Sequence, residues 1–116
     1  MPLKLIVVIA GPEKTERLLD AAREAGATGV TIVNNARGER MFPVKGVFGL
    51  ELNVQRDVLL FIVKAEEAEA ILARVATVGA FDDAPGTGIA VQLDVEQAFG
   101  LRTQLARAER DDASDA

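Results

Sequence analysis

Apolar residues form two long, nearly unbroken runs in this chain. Residues 3–10 are rich in β-branched side chains, and residues 57–64 repeat their character. Runs without polar alternation are typical of strands that are buried on both faces. Two further segments, 29–35 and 87–95, contain many residues of high strand propensity. The pattern therefore predicts four strands.

Two segments between these strands carry apolar residues at helical spacing. The first covers residues 12–25, where Pro12 suits the first helical position and Gly26 follows as a C-terminal cap. The second covers residues 66–78, has an acidic first turn and is followed by Gly79. The chain therefore contains the series strand, helix, strand twice.

The two halves of this pattern are nearly equal in length. The strand starts at Leu3 and Asp57 are almost as far apart as the cap residues Gly26 and Gly79. A repeated βαβ unit predicts an α+β, ferredoxin-like βαββαβ fold, whose four-stranded antiparallel sheet has both helices on one face. Because the two long runs are apolar almost throughout, the other face would be apolar as well. We expect association between copies of the chain to bury it.

The segment 38–56 follows no period for long, since Pro43, Gly46 and Gly49 interrupt it. We predict a long loop there, and loops of this length in a compact domain are often functional. Residues 1–104 are expected to form one domain. The charged tail, residues 105–116, is expected to be disordered.

Composition narrows the classes of function. The chain has 13 basic and 18 acidic residues, a net charge of −5, which disfavours nucleic acid as a partner. It has no cysteine and no histidine, which excludes Ser-His-Asp and Cys-His nucleophiles and most zinc or copper sites. The opening run is too short to span a membrane. We expect a cytoplasmic protein that is not an enzyme, has no catalytic cofactor or metal, and does not insert into membranes.

Two kinds of residue could contact a ligand. The segment Pro85-Gly86-Thr87-Gly88 contains glycines that permit positive φ and allow backbone N–H groups to approach a phosphate. A tight turn explains the same residues equally well. Arg37 and Arg102 lie near predicted strand ends, where arginines often hold phosphates, although a lone arginine is more often a solvated surface residue.

Four short motifs occur in a fixed order, and together they resemble the PII nitrogen-regulatory signalling family over about residues 1–104. In this resemblance the segment 38–56 corresponds to the family's T-loop, here in a short form, so the chain resembles a divergent member. The motifs are Gly26-Ala27-Thr28-Gly29-Val30-Thr31, Ala36-Arg37-Gly38, Gly86-Thr87-Gly88-Ile89-Ala90-Val91 and Leu101-Arg102-Thr103.

The resemblance implies a homotrimer that binds adenine nucleotides in the clefts between its subunits. By position, Gly29 and Thr31 would lie beside the ribose and adenine, and Ile62 would pack on the adenine. The resemblance implies two further sets of residues, which would cradle the phosphates and form the base of the T-loop. They are Gly86, Thr87 and Gly88 for the phosphates, and Arg37 and Gly38 for the T-loop base.

The chain departs from the family pattern at the phosphates. Ile89 stands where the family usually has a lysine, and the usual arginine pair is here Gly100 and Arg102, so that Arg102 alone would reach a phosphate. With fewer cations we expect ADP or AMP to compete well with ATP. The loop has no tyrosine to uridylylate and no clear match to the residues that bind 2-oxoglutarate. It resembles the PII-like proteins tied to carbon or bicarbonate handling more than the nitrogen regulators.

Three functions follow from these expectations. The first is a regulator in which a bound adenine nucleotide orders the loop 38–56, and the loop then docks on a transporter or an enzyme. The second is a ferredoxin-like trimer that only assembles or scaffolds, with its glycines serving as turns. A small enzyme that uses the same cleft ranks last, because histidine and cysteine are missing.

Overall fold

A computed structural model describes residues 2–39 and 54–101 of the chain. In this part of the chain the elements are strand β1 (Leu3–Ala10), a 3-10 turn (Pro12–Lys14), helix α1 (Thr15–Glu24), strands β2 (Thr31–Gly38) and β3 (Val54–Lys64), helix α2 (Ala65–Gly79) and strand β4 (Gly88–Val95). The sheet order is β2-β3-β1-β4, and every neighbouring pair is antiparallel. The predicted ferredoxin-like βαββαβ fold is thereby confirmed.

The hydrophobic core lies between the sheet and the two helices. Burial alternates along β1, where Ile6 and Val8 are fully buried and their sequence neighbours are only partly buried. Leu59 and Phe61 pair with them from β3, so one face of the sheet packs on the helices. Both helices contribute buried side chains, chiefly Leu18, Ala22, Ala68, Ile71 and Val75. No helix in the described part of the chain is both long and apolar enough to cross a membrane.

The second and third strands differ from the sequence prediction. The sequence predicts a strand over residues 29–35, but β2 starts at Thr31 and continues to Gly38. β3 starts at Val54, so Arg56 pairs with Ala36 inside the sheet and not in a loop. A change of register between Val33 and Ala36 makes this extension possible, because one extra residue on β2 forms a bulge.

Asn35 occupies the bulge in the left-handed region, with a φ of 65°. Asparagine is one of the few residues that tolerate this conformation, because its short polar side chain bonds locally. Here its Oδ1 accepts a hydrogen bond from Nε2 of Gln55 on β3. The bulge thus changes the direction of the last residues of β2 and keeps them paired with β3.

Two other predictions need adjustment or stay open. The sequence predicts the first helix over residues 12–25, whereas the structure has a 3-10 turn first and an α-helix from Thr15. Most of the predicted loop 38–56 lies outside the described residues, because only 38–39 and 54–56 belong to them. The predicted tail 105–116 also lies outside them.

The sheet face opposite the helices is apolar, and we call it the open sheet face. Cross-strand register places Val7 beside Leu60 and Val91, in the middle of this face. Its β4 residues are well exposed in the single chain, with Ile89 at 58% and Val91 at 43%. The apolar side chains that β1, β3 and β4 contribute to it are Leu5, Val7, Ile9, Val58, Leu60, Ile62, Ile89, Val91 and Leu93, and β2 adds Val33 opposite Val58.

Candidate functional site

A cleft of about 480 Å³ lies at one end of the open sheet face. All four strands contribute to it, because the C-terminal part of β1 meets the extended end of β2, the start of β3 and the start of β4. Its lining residues are Ile9, Ala36, Arg37, Gly38, Arg56, Val58, Gly86, Gly88 and Ile89. The bulge in β2 and the early start of β3 bring the polar members of this set together.

Four of the site residues predicted from the sequence line this cleft: Arg37, Gly38, Gly86 and Gly88. Each lies at the end of a strand or in the turn that precedes one. The structure thus brings the two glycine-containing motifs, 36–38 and 85–88, to a common surface although they are distant in the sequence.

Arg56 is a cleft residue that the sequence prediction missed. Its Nη2 donates a hydrogen bond of 3.0 Å to the carbonyl oxygen of Gly86 and so links β3 to the glycine turn. The sequence pattern places Arg56 in a loop, because only the apolar residues after Asp57 resemble a strand. The position of Arg56 directly before that apolar run could have indicated it. A cation at the end of a buried strand lies at the edge of the sheet, where a ligand can reach it.

The charge of the cleft is positive. Within the described part of the chain, its lining contains two ionisable side chains, Arg37 and Arg56. Nη2 of Arg37 lies 3.2 Å from Oε1 of Glu39, and this exposed ion pair is weak and easily exchanged for another anion. Guanidinium groups bind phosphate and carboxylate oxygens well because their N–H groups match these acceptors. The lining therefore suits an anionic ligand.

The two glycines of the turn have different surroundings. Gly86 has a φ of +76°, and a Cβ atom there would meet nothing within 4 Å. Gly88 has a φ of +147°, and a Cβ atom there would lie 2.4 Å from the ring of Phe81 and 2.9 Å from the carbonyl oxygen of Ile9. Gly88 is therefore required by packing, whereas Gly86 leaves its backbone open to a ligand.

The side chain of Thr87 serves the turn itself. Its Oγ1 lies within hydrogen-bonding distance of three carbonyl oxygens, at 3.0 Å from Ala80, 3.3 Å from Phe81 and 2.9 Å from Ala84. A hydroxyl has one proton, so it is shared among these acceptors. Thr87 fixes the shape of the turn through its side chain, and only its backbone is available to a phosphate.

The predicted adenine-side residues lie elsewhere on the molecule. Thr31 pairs with Leu60, and Ile62 lies farther along β3, whereas Arg37 pairs with Gln55 at the start of that strand. A strand rises about 3.4 Å per residue, so along β3 Leu60 lies about 7 Å and Ile62 about 14 Å from Val58 in the cleft lining. None of the predicted adenine-side residues lines the cleft of a single chain. We call them, together with Gly29, the distal group.

Two further expectations concern Arg102 as a phosphate contact and the lack of a metal site. Arg102 lies outside the described residues. Among residues 2–39 and 54–101, no group of three or more acidic side chains is placed to hold a metal ion.

Known proteins resemble this chain over most of its length. The family model described as nitrogen regulatory protein P-II matches residues 3–105. A PII-like signalling protein of Thermus thermophilus is 32% identical, with 82% of this chain and 88% of that chain covered and a TM-score of 0.60. A search of curated proteins gave no significant match.

Two more distant structures share the fold. CPII of Thiomonas intermedia, described as a nitrogen regulatory PII-like protein bound to ADP, AMP and bicarbonate, is 23% identical, with 85% and 96% of the two chains covered and a TM-score of 0.63. Bacillus subtilis GlnK in complex with ATP is 15% identical, with 88% and 91% covered and a TM-score of 0.64. The family model covers nearly the whole chain, and this chain therefore belongs to the nitrogen regulatory protein P-II family.

Proposed function

We propose that the protein is a cytoplasmic regulator, not an enzyme, and that it binds AMP, ADP or ATP in clefts between copies of its own chain. The single observation that carries this proposal is the cleft at the end of the open sheet face. It combines two arginines, the exposed backbone of Gly86 and an apolar wall. A volume of about 480 Å³ falls within the range of small-molecule sites.

The apolar wall and the cations suit the two parts of a nucleotide. Ile9, Val58 and Ile89 give the cleft an apolar floor, while Arg37 and Arg56 provide charge at its rim. A nucleotide has the same division between an apolar base and anionic phosphates. The proposal therefore assigns the phosphates to the segment 86–88 and the two arginines.

The distal group supports a site shared between subunits. Gly29, Thr31 and Ile62 do not line the cleft of a single chain. A second copy packed on the open sheet face would supply its distal group to the cleft of the first. Repeated around a three-fold axis, this contact closes into a homotrimer with three equal sites.

The two relatives with bound ligands are consistent with this assignment. CPII of Thiomonas intermedia is described with ADP, AMP and bicarbonate, and GlnK of Bacillus subtilis with ATP. Arg102 belongs to the motif Leu101-Arg102-Thr103 on which the resemblance rests, and we propose it as a further phosphate contact. Whether bicarbonate or 2-oxoglutarate acts as a second effector is a separate question, and the binding experiment below addresses 2-oxoglutarate.

The cleft also suggests how nucleotide binding affects the segment 38–56. Gly38 and Arg56, the two ends of the segment 38–56, both line it. A ligand in the cleft therefore contacts both ends of that segment at once. We propose that the nucleotide selects one arrangement of this segment, which then docks on a membrane transporter or a metabolic enzyme rather than on nucleic acid. Residues 1–104 would form the regulatory domain, with 105–116 as a charged tail.

Isothermal titration calorimetry tests the proposal with AMP, ADP, ATP, cyclic AMP and 2-oxoglutarate as ligands. Arg56→Gln removes a charge-assisted contact, so we expect binding of the phosphorylated ligands to weaken by about tenfold or more. Arg74→Gln is the matched control, because Arg74 pairs with Glu24 on the helix side. Absence of heat with every adenine nucleotide, for the wild-type protein, would refute the proposal and favour an assembly that does not sense nucleotides.

A further inference from the structure

Lys14 joins three parts of the molecule that are distant in sequence. Its Nζ donates hydrogen bonds to the carbonyl oxygens of Gly79, at 2.8 Å, and Thr87, at 3.2 Å. The same ammonium lies 5.8 Å from the centre of the Phe81 ring. The 3-10 turn after β1 is thereby tied both to the end of α2 and to the glycine turn beside the cleft.

Each of these contacts suits a cation. Gly79 ends α2, where the last carbonyl groups of a helix lack partners within the helix and carry partial negative charge. Phe81 offers the negative face of its ring. Because Lys14 is partly buried, water competes less for its donors than it does at the surface. The contacts are therefore stronger than those of an exposed lysine.

The turn beside the cleft is held by two cations. Lys14 binds the carbonyl oxygen of Thr87, and Arg56 binds that of Gly86. A peptide unit is planar, so fixing a carbonyl oxygen also fixes the N–H group on the other side of the same unit. These two hydrogen bonds set the orientation of the N–H groups of Thr87 and Gly88.

We propose that Lys14 is a positioning residue for the nucleotide site: by holding the Thr87 carbonyl against the end of α2, it fixes the shape in which segment 85–88 meets an anionic ligand. It acts through the turn and not by touching the ligand. This inference rests on the proposed function for its ligand, while the ordering of the turn is a property of the free protein. The two parts can be measured separately.

The first measurement is made without ligand. In wild-type protein, we expect NMR order parameters near those of rigid backbone, about 0.85, for the amides of Gly86, Thr87 and Gly88. In Lys14→Met we expect them to fall below about 0.6, while the β1 amides keep their values. Lys14→Arg retains the charge and the donors and is expected to restore the order. If Lys14→Met does not fold, Lys14→Gln removes the charge but keeps an N–H donor, and its order parameters are expected to lie below those of wild type.

The second measurement is nucleotide affinity by calorimetry. We expect Lys14→Met to weaken ADP binding by about tenfold, and Lys14→Arg to return it to within about threefold of wild type. Lys4→Met is the matched control, since Lys4 pairs with Asp94 at the opposite end of β1. Order parameters in Lys14→Met that equal those of wild type would overturn the inference. If wild-type protein binds no nucleotide, the proposed function fails, and the order parameters still decide the role of Lys14 in the turn.

Discussion

At the residue scale, the glycine turn separates two roles that the sequence presents as one. The segment Gly86-Thr87-Gly88 is open to two interpretations from the sequence, a tight turn or a phosphate loop. The structure assigns Gly88 to packing against Phe81 and the side chain of Thr87 to the turn, and it leaves Gly86 facing open space. The sequence could indicate the segment but not this division, because Phe81 and Ile9 meet Gly88 only in the folded chain.

Alanine at the two glycine positions tests this division. In Gly88→Ala the new Cβ would overlap Phe81 and a backbone oxygen, so we expect the free energy of unfolding to fall by about 3 kcal/mol or more. In Gly86→Ala only the positive φ is unfavourable, and we expect a loss of about 1 kcal/mol. Urea denaturation measures both. Equal losses in the two variants would contradict the assignment.

At the scale of the elements, the order and type of the strands and helices could be predicted, but the strand ends at the cleft could not. The apolar runs indicate β1 and most of β3 because burial on both faces leaves a continuous pattern. The bulge at Asn35 leaves no such pattern in the sequence, since it depends on a change of register and on a hydrogen bond to Gln55 across the sheet. The place of Arg56 in β3 could not be predicted for the same reason, because Arg56 pairs with Ala36 only after the bulge.

Helix α1 is joined to β3 by a buried polar contact. Oγ1 of Thr15 donates a hydrogen bond of 2.6 Å to Oδ2 of Asp57, and both residues are only 8% exposed. Thr15→Val keeps the shape of the side chain but leaves the buried carboxylate without this donor, so we expect a loss of about 2 kcal/mol in unfolding free energy.

Two comparisons control the Thr15 experiment. Thr15→Ser retains the hydroxyl and is expected to lose less than Thr15→Val. Thr77→Val makes the same replacement at an exposed position of α2 and is expected to change the stability by less than about 0.5 kcal/mol. A Thr15→Val protein that unfolds at the wild-type urea concentration would show that the hydrogen bond does not stabilise the attachment of α1.

At the scale of the whole molecule, the open sheet face was predictable from the sequence pattern, because the two long runs are apolar on both faces of their strands and helices on one side cover only one of these faces. The separation of the predicted site residues was not. The resemblance implies that all of them surround a nucleotide between subunits, but it does not say which of them a single chain brings together, and the cleft of one chain contains none of the distal group. A second copy of the chain resolves this difference, which makes assembly and ligand binding parts of one hypothesis.

A charge in the middle of the open sheet face tests that hypothesis. Val91 is 43% exposed in the single chain, so Val91→Glu should cost the isolated chain little, but an interface on this face would bury an unpaired carboxylate. We expect wild-type protein to have three times the 12.3 kDa mass of one chain in light scattering, and Val91→Glu to have the mass of a monomer.

Because the monomer lacks a neighbour's distal group, its ADP affinity should fall by at least about tenfold. Ala73→Glu, on the exposed side of α2, should change neither mass nor affinity. A Val91→Glu monomer that binds ADP as tightly as wild type would place the whole site within one chain and contradict the shared cleft.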